Sequence, residues 1–201
     1  MSQETSDLIL GAILLVVMIP VIYFVARMIS TIGDAWGAHL LAPLASAIGG
    51  TVDRHQPCIL GKYQGRDVRV SFSPGQSVGS GEGATTINAF HIEILNLPGG
   101  KDWRIKYHLS GIFGQGPKQL IIEVPDQALG EHLERSGVLT EVAAVSSPTQ
   151  DYVTVTYEAR QKKLTYTDDM TPRRLPTNQE FSAQLKLAAR LAEINDQVNA
   201  L

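Results

Sequence analysis

The sequence has a single cysteine and no excess of positive charge. Cys58 stands alone, so the chain cannot form an internal disulfide, which suits a reducing compartment. Lys and Arg number 17 against 20 Asp and Glu, and the net charge is -3. Domains that bind nucleic acid normally carry a basic excess on their surface. The composition therefore argues against a nucleic-acid partner.

Motifs for catalysis and metal binding are also missing. The chain has no Ser-His-Asp order, paired-carboxylate motif, HExxH or CxxC. The glycine-rich stretch 79–83 lacks the following helix whose N-terminal amides would hold a phosphate. Asp53, His55 and Cys58 lie close in sequence, but a metal site needs three or four ligands and a cysteine nucleophile needs an oriented base. We therefore predict no enzyme activity, no cofactor and no catalytic or metal-binding residues.

An uncharged run, LILGAILLVVMIPVIYFVA, occupies residues 8–26. Its length is enough for a helix to cross a hydrocarbon core of roughly 30 Å. The acidic start and the poor cleavage site around Arg27 argue against a cleaved signal peptide, so we expect an uncleaved single-pass anchor. Pro20 predicts a kink, and the aromatic residues near the far end favour the headgroup region. The residues expected to form this anchor are Leu8, Leu15, Pro20, Tyr23, Phe24 and Arg27.

The charges flanking this run predict its orientation. No Lys or Arg precedes it, and Arg27 follows it directly. The positive-inside rule then places the N-terminus outside and the remainder of the chain in the cytoplasm. The expected location is a bacterial inner or photosynthetic membrane.

The pattern beyond the run predicts two further regions. Residues 34–50 form a juxtamembrane amphipathic helix after the tail and anchor of 1–33, because Trp36, Leu40, Leu44 and Ile48 recur every four residues. Residues 51–201 form one soluble domain. The predicted fold class is α+β, with an N-terminal transmembrane helix and antiparallel β-hairpins packed with about two to three helices.

Three hairpins are predicted within the soluble domain. The first turns at 63–66 and is followed by a loop at 73–84, and the third joins 153–157 to 164–166 with Glu158 opposite Lys163. The middle hairpin joins 90–94 to 103–109 around the turn 98–101. Its register pairs apolar residues on the buried face, Ile94 with Ile105 and Ile92 with Tyr107. On the exposed face it pairs an acid with a base, Glu93 with Lys106, and His91 with His108.

Two helices carry clear start signals. Asp126 opens a helix that runs to about Ser136, and Gly137 provides its stop. Thr177 and Glu180 form a capping box that opens the last helix, whose apolar stripe extends over residues 181–198.

These features predict a non-catalytic accessory subunit that docks on a larger membrane protein complex. Its expected partners are integral membrane subunits and the lipid bilayer, with Trp36, Arg173 and Arg174 as candidate contacts. Energy-converting complexes, photosynthetic or respiratory, are suggested by analogy of architecture alone. A membrane-tethered ligand-binding or sensory module is the alternative. A hydrolase or metal enzyme that uses Cys58 or a histidine is a second one.

Overall fold

The computed structural model describes residues 18–25, 37–53, 58–78, 85–109, 118–145, 152–170 and 175–199. A helical segment at 18–25 comes first, then helix α1 at 37–45 with a 3₁₀ turn at Ser46–Ile48. The strands are β1 (Thr51–Asp53), β2 (Cys58–Tyr63), β3 (Arg66–Val78), β4 (Thr85–Ile94), β5 (Trp103–Leu109), β6 (Lys118–Glu123), β7 (Tyr152–Glu158) and β8 (Lys163–Met170). The remaining helices are α2 (Gln127–Arg135), α3 (Val138–Val145) and α4 (Asn178–Asn199).

The eight strands form one antiparallel sheet in the order β1-β2-β3-β4-β8-β7-β5-β6. One face of this sheet is apolar, because alternate residues of each strand point to the same side. Helix α4 packs across β4 and β8 on that face, while α2 and α3 pack against β6. The rings of Phe90 and Phe181 meet edge to face there, with their centroids 5.9 Å apart.

The predicted membrane anchor is contradicted, and with it the predicted fold class, the single-pass topology and the membrane localisation. Among the residues that the structure describes, no helix is both long and apolar enough to cross a bilayer. Helix α4 has 22 residues, but it carries charges such as Lys186, Arg190 and Glu193.

Helix α1 packs on the sheet through a stripe that differs from the predicted one. Leu44 and Ile48 are buried as predicted, but Leu41 is fully buried where the four-residue spacing predicts Leu40. Gly61 of β2 allows this close packing, since a Cβ there would lie 2.5 Å from the carbonyl oxygen of Ile48. The predicted juxtamembrane position of this helix, within the region 34–50, stays a prediction.

The first and third predicted hairpins are confirmed. Strands β2 and β3 are joined by Gln64 and Gly65, which both have positive φ, as a two-residue hairpin turn requires. Strands β7 and β8 pair in the predicted register, with Glu158 opposite Lys163. The predicted loop at 73–84 is wrong in its first part, because β3 continues to Val78 past an irregularity between Ser73 and Gln76.

The middle hairpin is wrong. Strand β4 pairs with β3 and β8, whereas β5 pairs with β6 and β7, so that β8 and β7 separate the two strands. The predicted faces are nonetheless correct for Ile92, Ile94 and Ile105, which are fully buried. Alternation of apolar residues specifies which side chains face the core, but it does not specify the neighbouring strand.

Both predicted helix starts are confirmed. The carboxylate of Asp126 accepts hydrogen bonds from the backbone N–H groups of Ala128 and Leu129 at the start of α2. At the start of α4, the N–H of Glu180 donates to Thr177 Oγ1 over 3.3 Å, and the N–H of Thr177 donates to Glu180 Oε2 over 2.7 Å. This reciprocal pair is the predicted capping box.

Candidate functional site

The sheet face opposite α4 is polar, and we call it the polar face. Its side chains alternate with the core residues along each strand, because successive residues of a strand point to opposite faces of the sheet. The register brings one row of them together across five strands: Cys58 opposite Ser71, Ser71 opposite His91, His91 opposite Thr167 and Thr167 opposite Thr154. Most side chains of this row are half-buried, and Cys58 is buried.

His91 is the centre of a hydrogen-bonded cluster on the polar face. Its Nε2 lies 3.2 Å from Ser73 Oγ, and its Nδ1 lies 3.1 Å from Thr167 Oγ1. Burial lowers the pKa of His91 and Lys163 lowers it slightly further, whereas the negative charges of Glu93 and Asp169 act in the opposite direction. The imidazole is therefore neutral at pH 7 and carries one donor and one acceptor nitrogen.

Asp169 lies on the same face, two residues along β8 from Thr167. Burial raises the pKa of its carboxyl group, and His91 partly offsets this effect. With Thr167 accepting from Nδ1–H, Nε2 can accept from the hydroxyl group of Ser73. A hydroxyl group, a neutral imidazole and an orienting group in this order can perform base-assisted nucleophilic chemistry.

Cys58 does not take part in this cluster. Ser71 lies between Cys58 and His91, which separates their strands by about 10 Å at a strand spacing of 4.8 Å. The thiol is free and buried. Among the described residues, no group of three His, Cys, Asp or Glu side chains is arranged to hold a metal ion.

A network of charged side chains lies beside the His91 cluster. Glu93 contacts Lys163 over 3.0 Å and Arg69 over 3.8 Å, and Lys163 also contacts Glu158 over 3.6 Å. The side chains of Glu93 and Lys163 are only 15% and 23% exposed. Each charged side chain in this network contacts one of opposite charge, so this part of the polar face presents little net charge to a ligand.

Two open clefts lie apart from the His91 cluster. One of about 510 Å³ runs between α3 and α4, with an apolar floor that includes Ala144 and Leu187 and a rim that includes Glu141 and Lys186. The other, of about 420 Å³, lies where β5 begins and β6 and β7 end, beside Trp103. Their charged rims carry both signs, so neither selects a ligand of one charge.

The helical segment 18–25 is a second candidate site, of a different kind. Every residue in it is exposed, including the expected anchor residues Pro20, Tyr23 and Phe24. The exposed fractions of its large apolar side chains range from 45% for Met18 to 67% for Phe24. Such a contiguous apolar surface is typical of an interaction site.

The other predicted site residues lie outside the described residues: Leu8, Leu15, Arg27, Trp36, Arg173 and Arg174. The sequence pattern indicates His91 only as a partner of His108, and it does not indicate Ser73 or Thr167. Alternation along β4 does place His91 on the polar side, but its two partners belong to other strands, 18 and 76 residues away. Comparison with protein-family models, curated proteins and solved structures finds no match to this chain.

Proposed function

We propose that the protein is a non-catalytic accessory subunit that binds a larger complex of membrane proteins through its apolar helical segment. The observation that carries this proposal is the exposure of the large side chains of residues 18–25, which is between 45% and 67%. No residue in this segment is charged. A partner surface that receives it must therefore be apolar.

The distribution of these side chains indicates how the partner surrounds them. Ile19, Ile22 and Val25 share one side of the helix by their spacing, but Val21 and Phe24 are equally exposed on others. A helix that is apolar all round is stable when apolar groups enclose it. Each large side chain that a partner buries contributes about 1.5–3 kcal/mol to association before the entropy cost of binding.

The apolar helices of integral membrane subunits offer such surroundings. An energy-converting complex, photosynthetic or respiratory, is the partner we favour, by analogy with small accessory chains of those complexes. The domain that follows the segment has its own core and its own helix caps, which supports a role as a rigid body held at that complex.

The test replaces two apolar residues of the segment with charged ones. In the double variant Ile22→Asp/Phe24→Asp, co-purification with the complex in mild detergent should fall at least tenfold, because two charges would have to enter an apolar site. Leu60→Asp is the matched control, since Leu60 is an apolar side chain of β2 that is 48% exposed. This control should co-purify as the wild type does.

Two results would overturn the proposal. One is undiminished co-purification of the double variant in a folded state, with a far-ultraviolet spectrum and an unfolding midpoint equal to those of the wild type. The other is that the purified wild-type chain floats with protein-free lipid vesicles and the double variant does not. Lipid, and not a protein partner, would then bind the apolar segment.

A hydrolase is the second candidate function, and the contact between Ser73 and His91 favours it. If Ser73 is an activated nucleophile, a fluorophosphonate probe should label it, and both Ser73→Ala and His91→Gln should lose the label. Ser71→Ala is the control, because Ser71 lies on the same strand and the same face. Labelling with this pattern would move the hydrolase ahead of the accessory subunit, and unlabelled wild-type protein would remove it.

A further inference from the structure

The two edges of the sheet differ in length and polarity. Edge strand β1 has three residues, Thr51–Asp53, and so offers little backbone to another chain. Edge strand β6 has six residues and contains Leu120, Ile121 and Ile122 in succession, all half-buried. Natural sheets protect their edges by keeping them short or by placing charges in them, because unpaired backbone groups are a template for another strand.

Among the described strands, β6 pairs only with β5. One side of its backbone therefore presents its N–H and C=O groups away from the sheet. Pro125 follows shortly after the strand and has no N–H group to donate, which limits any pairing to the six residues of the strand and Val124. The protection typical of an edge is thus found at the end of β6 and not in its middle.

The residues of β6 are complementary to a second copy of themselves. Consider two antiparallel β6 strands related by a two-fold axis through Ile121 and normal to the sheet. Leu120 then lies opposite Ile122 of the second copy on the helix-covered face, and Gln119 lies opposite Glu123 of the second copy on the polar face. Apolar residues meet apolar ones, and an amide can donate to a carboxylate.

The neighbouring register is less favourable. With the axis at Leu120, Gln119 would lie opposite Ile121 of the second copy, so a polar group would face an apolar one. Registers in which the two strands are offset by an odd number of residues would bring side chains of opposite faces together. Pairing about Ile121 keeps both faces continuous and matches the residues from Gln119 to Glu123 on each of them.

We propose that β6 is a homodimerisation surface, through which two copies form one continuous antiparallel sheet with Ile121 on the two-fold axis. This surface is separate from the helical segment 18–25 and goes beyond the proposed accessory function. Such isologous contacts close on themselves and leave no free apolar edge.

The first experiment uses cysteine cross-linking in a Cys58→Ala background, because Cys58 is the only native cysteine. In Ile121→Cys the two new thiols face each other, with a Cα separation of about 4.5–5.5 Å, which suits a disulfide. Mild oxidation should convert most of this variant into a covalent dimer. Gln119→Cys and Glu123→Cys should not cross-link alone, since each lies about 13 Å from its own symmetry mate. A mixture of these two variants should cross-link with each other.

The second experiment measures molar mass by light scattering after size-exclusion chromatography of the full chain. The wild type and the variant Ile22→Asp/Phe24→Asp should both have twice the mass of one chain, and Ile121→Lys should have half the mass of these dimers. A dimer lost in the variant of the helical segment but kept in Ile121→Lys would overturn the proposal. So would a wild type of single-chain mass at all concentrations, or cross-linking of Gln119→Cys alone that matches Ile121→Cys.

Discussion

The two faces of the sheet are made from the same strands but do different work. On β4, Phe90, Ile92 and Ile94 are fully buried under the helices, while His91 and Glu93, which alternate with them, point to the polar face. The buried side chains meet α4 and one another. The polar ones meet partners across the strands, such as Thr167 for His91 and Lys163 for Glu93.

The two faces therefore differ in how much they contribute to the stability of the fold. Complete burial of a large apolar side chain contributes about 1.5–3 kcal/mol, whereas one cross-strand polar pair contributes roughly 0.2–1 kcal/mol. The helix-covered face therefore carries most of the stability, and the polar face tolerates substitution. Substitutions should therefore have their largest effects on the helix-covered face and their smallest on the polar face.

On the helix-covered face, substitution of Phe181 should cause the largest loss of stability. Its ring is fully buried and packs edge to face on Phe90, so Phe181→Ala removes both contact area and an aromatic pair. We expect a loss of about 3–5 kcal/mol in the free energy of unfolding, measured by urea denaturation. The control is Arg190→Ala on the exposed side of α4, which should cost about 0.5 kcal/mol or less. Equal losses in both variants would contradict the packing.

A buried polar contact on the covered face should have the next largest effect. Gln184 Nε2 donates to Asp168 Oδ2 over 2.7 Å, and both side chains are almost fully buried. Gln184→Leu removes this donor from a carboxylate, so the variant should lose roughly 1–3 kcal/mol of stability. Gln197→Leu, on the exposed side of the same helix, is the matched control. A neutral or stabilising Gln184→Leu would mean that the hydrogen bond contributes little.

The sequence predicts those parts of the fold that depend on neighbouring residues. The turn at Gln64 and Gly65, the hairpin of β7 and β8 and the capping box at Thr177 each involve residues a few positions apart. The prediction of the middle hairpin is wrong for a physical reason. Strand β4 meets apolar residues equally well on β3 and β8, and nothing in its own alternation distinguishes these from β5.

The candidate site shows the same limit. Strand alternation alone predicts that His91 and Glu93 leave the core, but the partner of Glu93 is Lys163 and not Lys106, which pairs with Glu123 instead. Charge complementarity fits several registers, and the fold selects among them through long-range packing. The apolar run at 8–26 predicts a membrane-spanning helix, but among the described residues no helix is long and apolar enough to cross a bilayer.

On the polar face, the pair of Glu93 and Lys163 should contribute a small coupling energy. A double-mutant cycle with Glu93→Gln and Lys163→Met should give roughly 0.2–1 kcal/mol, with a smaller value at 1 M salt because salt screens partly exposed charges. The cycle for Lys62 and Asp67, whose side chains are 72% and 43% exposed, is the control and should give less. A larger coupling in the control pair would reverse the expected effect of burial.

The smallest predicted effect is a pH dependence from His91. Burial holds the pKa of His91 below its ordinary value of 6.5, so the unfolded chain takes up a proton before the folded chain does as the pH falls. The stability contributed by the neutral imidazole is fully present above about pH 6.5 and is lost as the pH falls from there through the lowered pKa of the folded state.

Two carboxylates and one ammonium group surround His91: Glu93 and Asp169 favour its protonation, and Lys163 opposes it. Asp169 has a raised pKa, which acts with the opposite sign, because the folded chain takes up this proton before the unfolded chain does as the pH falls. Urea midpoints are therefore measured between about pH 7.5 and 5.5 for the wild type and for His91→Gln, and the difference between the two profiles reports on His91. The wild type should lose stability over this range, and His91→Gln, which keeps a donor and an acceptor at this position, should lose less. Parallel pH profiles for the two proteins would show that the surroundings of His91 do not keep it neutral, and the proposed pairing of Ser73 with a neutral imidazole would lose its basis.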